Sequence, residues 1–125
     1  MEIVTLSNGK KVANFSSPHP FTFEDGTVLP AVSEEISRSL SVDFIEKEDG
    51  NGDIHLSFWL SLNCGIAVEK WEEKWRNKEV DIVFCPLPMI TALKADDYNL
   101  KNSPFRSIRV VDRISKLVSI NKQCL

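Results

Sequence analysis

The chain has 125 residues, 42% hydrophobic and 26% charged, with a net charge of -3 at pH 7. That length suits a single compact domain burying roughly two-thirds of its unfolded surface, and those fractions exclude disordered and fibrous classes. No apolar run approaches the roughly 18 residues of a membrane helix, Met1 to Lys10 lacks the apolar centre of a signal peptide, and Cys64, Cys85 and Cys124 are far apart with no C-x-x-C pair. The expectation is a soluble cytoplasmic protein with reduced thiols, no disulfide framework and no metal or cofactor.

Taken in order, Ile3 to Leu6 and Lys11 to Phe15 flank Ser7-Asn8-Gly9-Lys10, and Asn-Gly between extended runs predicts a β-hairpin. Pro18 and Pro20 bracket His19 and hold it on a stiff, extended segment. Asp25-Gly26 reads as a turn before a short strand, Thr27 to Leu29, ended by Pro30. Ser33 with Glu34 and Glu35 looks like a helix start, giving a short helix to about Leu40, although an irregular strand over Ala31 to Leu40 fits almost as well.

Ser41 to Glu46 and Ile54 to Leu62 alternate in polarity on either side of the turn Asp49 to Asp53, which predicts an antiparallel pair. Ile54, Leu56, Phe58, Leu60 and Leu62 share one face of it, and His55 and Trp59 the other. Ile66 to Lys78 carries Ala67, Trp71 and Trp75 on one stripe of an amphipathic helix that should pack on the sheet. The run Ile82, Val83, Phe84 and Cys85 suits a strand buried on both faces. Pro86 and Pro88 stop it and start a helix through Met89 to Ala95. After a polar connector, Asp96 to Pro104, the segments Phe105 to Val111 and Ile114 to Ile120 read as two strands. The fold class expected is α+β, a mostly antiparallel sheet of about five to seven strands with two helices packed on it.

Complete catalytic sets are missing. The loop Lys47 to Asp53 resembles the middle of an EF-hand, but Lys47 and Phe58 occupy its two terminal ligand positions, so a plain acidic hairpin turn is the better reading. His19 has a fixed orientation and a near-neutral reference pKa, suited to a ligand, a proton or a metal, although the bland alternative is a ring satisfied by nearby backbone groups. Cys85 stands where a strand ends at a proline turn, a place from which side chains reach pockets. It forms with His19 the one conceivable nucleophile and base pair, with no orienting third group.

From Lys94 onward seven basic residues stand against three acidic, a surplus of +4, which leaves -7 on the first 93 residues. Arg106, Arg109, Arg113 and Lys116 form the densest basic group. On an alternating strand Arg109, Val111 and Arg113 would share one face, and the two arginines could grip a phosphate or carboxylate. The overall negative charge and the lack of a recognised motif count against nucleic acid.

The segment Phe15 to Phe23 containing Ser17-Pro18-His19-Pro20, followed by Asp25-Gly26 and Pro30, resembles the opening of a group of small uncharacterised bacteriophage proteins. In that group a Thr/Ser-Pro-His-Pro/Ala segment precedes a short strand, a turn and a proline. Asp81 to Cys85 and Met89 to Leu93 are similar to the apolar strand and aliphatic helix found later in its members. Pro86-Leu87-Pro88 and the Trp-containing helix depart from the pattern. The resemblance implies a phage or prophage origin and importance for Ser17 to Phe21, and implies no activity.

Together these readings lead to the expectation of a non-catalytic accessory protein that engages a host protein or other macromolecule, or a small anionic ligand, through His19, Trp59, Arg106, Arg109 and Arg113. A small hydrolase or transferase using Cys85 and His19 is one alternative. An assembly subunit, seen as a homo-oligomer, is another.

Overall fold

The computed structural model describes residues 2–125. Its first hairpin joins β1 (Ile3–Thr5) and β2 (Lys11–Asn14) in antiparallel register, Ile3 opposite Ala13. Gly9 has φ +84°, a left-handed conformation that costs an L side chain energy, and the Asn8 side chain accepts from Lys10 N at 3.0 Å to close the turn. A second small hairpin joins β3 (Phe21–Thr22) and β4 (Val28–Leu29). Asp25 ties the two hairpins together by accepting from Ser7 N at 2.7 Å and Thr27 N at 2.8 Å. Those two N–H donors favour its charged form and hold the carboxyl down at about 2.

Helix α1 (Glu34–Ser39) settles the alternative over Ala31 to Leu40, with Ser33 Oγ accepting from Ile36 N at its start. Strands β5 (Val42–Glu48) and β6 (Ile54–Leu60) pair in antiparallel register as expected. Helix α2 (Leu62–Arg76) begins four residues earlier than its apolar stripe suggests, because Ser61 Oγ accepts from Cys64 N at 3.2 Å. Its buried residues Cys64, Val68 and Trp71 follow the i, i+4, i+7 spacing of one face. Strand β7 (Ile82–Phe84), helix α3 (Leu87–Ala95), one 3-10 turn (Leu100–Asn102) and β8 (Phe105–Arg106) complete the order.

Both longer helices end in the same way. Lys78 follows α2 with φ 65° and Asp97 follows α3 with φ 56°, each in the left-handed region. Glu79 N donates to Lys74 O and Lys78 N to Trp75 O, while Tyr98 N donates to Leu93 O and Asp97 N to Lys94 O. These are paired Schellman closures that satisfy the last carbonyls of each helix.

The class is α+β, but the central sheet differs from the expectation. Its order is β1-β2-β7-β8, with β1–β2 antiparallel and both β2–β7 and β7–β8 parallel. The C-terminal segments form only β8 and isolated bridges, Ser107 to Cys124, Val110 to Val118 and Phe23 to Val118. The reason is a turn at 112–116, where Asp112 accepts from Ile114 N and Lys116 has φ 57°, so no long second strand follows. The β5–β6 pair is also not part of the central sheet; it is a separate two-stranded ribbon.

Alternation across β2, β7 and β8 divides the core in two. Ala13, Phe15, Val83, Cys85 and Phe105 face α2 and α3, where they meet Cys64, Val68, Trp71, Met89, Ile90 and Leu93. Val12, Ile82 and Phe84 face the other way and pack on Leu6, Phe23, Leu29 and Val118. The continuous apolar run Ile82 to Cys85 is thus explained by burial on both faces, and each large side chain so buried contributes about 1.5–3 kcal/mol. Phe15 and Phe105 meet edge to face with centroids 6.2 Å apart on the first side; Phe23 and Phe84 are 5.7 Å apart on the second.

Candidate functional site

Asn14, Phe84 and Arg106 lie side by side at the carboxyl ends of the three parallel strands. In open α/β sheets a crevice forms there, because the chain leaves each strand in a different direction. Such a cleft is present, about 710 Å³ in volume, bounded by Ser16 and Ser17 after β2, Cys85 and Pro86 after β7, Ser107 and Ile108 after β8, and Leu40 and Val42 from the α1–β5 junction. None of its lining residues carries a charge.

Cys85 lines this cleft, as its position at a strand end suggested, but its thiol is poorly suited to nucleophilic work. Only 6% of the residue is exposed, Sγ lies 3.4 Å from Val83 O, and burial, with Cys64 nearby, pushes its pKa well above the ordinary thiol value. Cys64 is likewise raised by burial, to about 11. His19 is exposed on the loop beside the cleft, its N–H donating to Ser17 Oγ at 3.1 Å and its carbonyl accepting from that hydroxyl at 3.0 Å. This small turn fixes the backbone of the Pro18-His19-Pro20 segment. Cys85 and His19 share no hydrogen bond.

The arginines do not converge. Arg106 turns its guanidinium onto backbone carbonyls, Nη1 donating to Leu100 O at 2.7 Å, Ser103 O at 3.0 Å and Phe105 O at 2.7 Å, and Nη2 to Lys101 O at 3.3 Å. Partial burial lowers its pKa. Arg109 and Arg113 are exposed, and the turn at 112–116 breaks the alternation that would have placed them on one strand face.

Trp59 is exposed on the β5–β6 ribbon, whose register defines two faces. One carries Val42, Phe44, Glu46 and Glu48 opposite Leu60, Phe58, Leu56 and Ile54; the other carries Asp43, Ile45 and Lys47 opposite Trp59, Ser57 and His55. Val42 and Leu60 anchor the ribbon by packing on the main core. Beyond them the first face runs outward uncovered, with Phe44 58%, Leu56 53% and Ile54 60% exposed. Glu46 and Glu48 stand on that face and Asp49 and Asp53 at the ribbon tip, while Asp43 and the single Lys47 lie on the opposite face.

At the ribbon tip, Asp49 Oδ1 accepts from Asn51 N at 2.8 Å and Asp53 N at 3.2 Å, and Oδ2 lies 3.0 Å from His55 Nε2. His55 and these N–H donors lower the Asp49 pKa. The loop that resembles part of an EF-hand is therefore organised by its own hydrogen bonds as a hairpin turn. Among the described residues no three His, Cys, Asp or Glu side chains are grouped to hold a metal ion, and no helix is long and apolar enough to cross a membrane.

Sequence reasoning put Trp59 on an exposed strand face and Cys85 at a strand end beside a cleft, where the structure has them, but it missed one feature. The exposure of Ile54, Leu56 and Phe44 was hidden, because alternation signals a half-buried strand without saying whether anything covers it. Comparison of the chain with protein-family models, with curated proteins and with solved structures gives no match.

Proposed function

We propose that this chain is a non-catalytic accessory protein of phage type, and that it binds a host protein through the outward face of the β5–β6 ribbon. The observation that carries the reading is the row Ile54 and Leu56 beside Glu48 and Glu46, with Phe44 against the half-buried Phe58, in which Ile54, Leu56 and Phe44 stand uncovered and Glu46 and Glu48 share their face. Contiguous exposed apolar surface of this kind marks interaction sites, and its charge selects the partner. Nucleic acid and anionic membrane surfaces repel the carboxylates of Glu46, Glu48, Asp49 and Asp53 on this face and at its tip. A second copy of the chain would bring like charges together. A protein surface with an apolar groove and Lys or Arg one strand spacing away complements it.

The anionic-ligand version has less support, since Arg106 is engaged by backbone carbonyls and the cleft offers no cation. Catalysis through Cys85 and His19 has no supporting contact. The test is a paired comparison: Phe44→Ser with Leu56→Ser, and separately Glu46→Lys with Glu48→Lys. Both should abolish association with the partner while the thermal midpoint stays near wild type. Association that survives both pairs would overturn the reading.

A further inference from the structure

We infer, resting on the ribbon as the partner-binding surface, that the partner engages it by strand addition. An extended segment of the partner pairs with the free edge of β5 as a third strand, with Lys or Arg opposite Glu46 and Glu48 and an apolar residue opposite Phe44. Asp49 N donates to Asp53 O at 2.9 Å at the ribbon tip, and Ser61 N to Ser41 O at 3.3 Å at its base. Both bonds fit one unbroken register that runs from Val42 opposite Leu60 to Glu48 opposite Ile54. Bonded and non-bonded pairs alternate along an antiparallel ladder. Asp43, Ile45 and Lys47 therefore turn their N–H and C=O groups to β6, while Phe44, Glu46 and Glu48 turn theirs outward.

Among the described residues no strand pairs with that outer edge. Helix α3 packs along β6 and reaches β5 only marginally, so the β5 edge is the open one, exposed from Asp43 to Glu48. It has neither the proline nor the bulge that blunt many edge strands. Outward N–H and C=O groups recurring every second residue fit an extended backbone, and not a helix, whose own bonds use those groups. Charge then specifies the strand. The residues that turn their backbone outward also carry the apolar and acidic side chains of the uncovered face, so a strand about 4.8 Å away stands directly opposite Phe44, Glu46 and Glu48. Opposite-charge cross-strand pairs require Lys or Arg at two alternate positions. A second copy does not supply them: in an antiparallel pairing of two β5 edges, Lys47 lies on the other face from Glu46 and Glu48.

The experiment uses a capped peptide, Lys-Thr-Lys-Val-Phe-Arg-Val, which in antiparallel register sets its lysines opposite Glu48 and Glu46, its phenylalanine opposite Phe44 and its arginine opposite Asp43. NMR titration should give saturable shifts along β5, and the amides of Phe44, Glu46 and Glu48 should gain protection from hydrogen exchange on binding. N-methylation of the second lysine and the phenylalanine, whose amides face β5, should weaken binding roughly tenfold. N-methylation of the threonine and the first valine, whose amides face away, should change it by less than about twofold. Glu46→Lys with Glu48→Lys should weaken this peptide by about tenfold or more and admit one with glutamate in place of both lysines. Equal effects of the two methylation patterns, shifts without new protection at Phe44, Glu46 and Glu48, shifts confined to residues outside the ribbon, or no saturation would each overturn strand addition. Failure of the ribbon itself is read apart from these, as partner association that survives Phe44→Ser with Leu56→Ser.

Discussion

Phe44 stands directly opposite Phe58 on the ribbon, ring centroids 6.1 Å apart and planes inclined at 45°, yet Phe44 is mostly exposed. The pair continues a face that begins as core at Val42 and Leu60 and ends in solvent. An uncovered side chain loses little when truncated. Phe44→Ser with Leu56→Ser is expected to change unfolding free energy by less than about 1 kcal/mol, whereas Trp71→Ala, in the main core, should cost about 3–5 kcal/mol. Denaturant unfolding of the two variants checks this; a loss of Trp71 size in the ribbon variant would show that the face is structural.

Arg106 acts as an internal clip. Its guanidinium gathers the carbonyls of Leu100, Lys101, Ser103 and Phe105, and so holds the 3-10 turn against β8. Arg106→Met should cost about 2 kcal/mol, because several carbonyls lose a charged donor in a half-buried setting. Arg106→Lys should recover little of it, since a compact ammonium does not reproduce the planar fork. Chemical denaturation measures both, and wild-type stability in Arg106→Met would contradict the clip.

The three thiols should react in a defined order. Cys124 is exposed, while burial raises the Cys64 pKa to about 11 and the Cys85 pKa well above the ordinary thiol value. Alkylation at pH 8 of the folded protein is therefore expected to label Cys124 alone on the timescale of minutes, with all three labelled after unfolding. Mass mapping of the labelled peptides decides it. Rapid modification of Cys85 would reopen a nucleophilic role.

Acid should loosen the join between the two small hairpins. Asp25 titrates at about 2 in the fold against an ordinary 3.8, so its contribution to stability is fully present above the higher value and is lost as pH falls through the lower. The group is solvent-exposed, which limits the size of the effect through screening. Asp25→Asn should flatten the stability curve between pH 4 and pH 2 and leave its shape from pH 6 to 8 unchanged. An unaltered acid limb in that variant would remove Asp25 from the account.

Much of the architecture was legible because the signals were local. Asn8-Gly9, the alternation from Ile54 to Leu60, the Trp71 stripe and the proline stop after Cys85 each report on a few adjacent residues, and each names an element that forms. Parallel pairing of β2 with β7 joins segments about seventy residues apart; no local pattern states it, although the doubly buried run Ile82 to Cys85 is its imprint. The C-terminal strands were overextended because Ile108 and Val110 alternate as a strand would, while the turn at 112–116 interrupts their pairing. At the sites, the basic residues misled for a physical reason: a sequence shows that Arg106 is charged but not that carbonyls surround it.

The most direct test of the ribbon as the working surface is photocrosslinking in living cells that produce the protein, from a reactive residue at Leu56, with a parallel probe at Ile114, an exposed turn residue outside the ribbon. The account predicts one discrete adduct from position 56, to a protein with a basic surface, absent from position 114 and lost when Glu46→Lys and Glu48→Lys are added. Adducts to a second copy of the chain, or the same pattern from both positions, would contradict it.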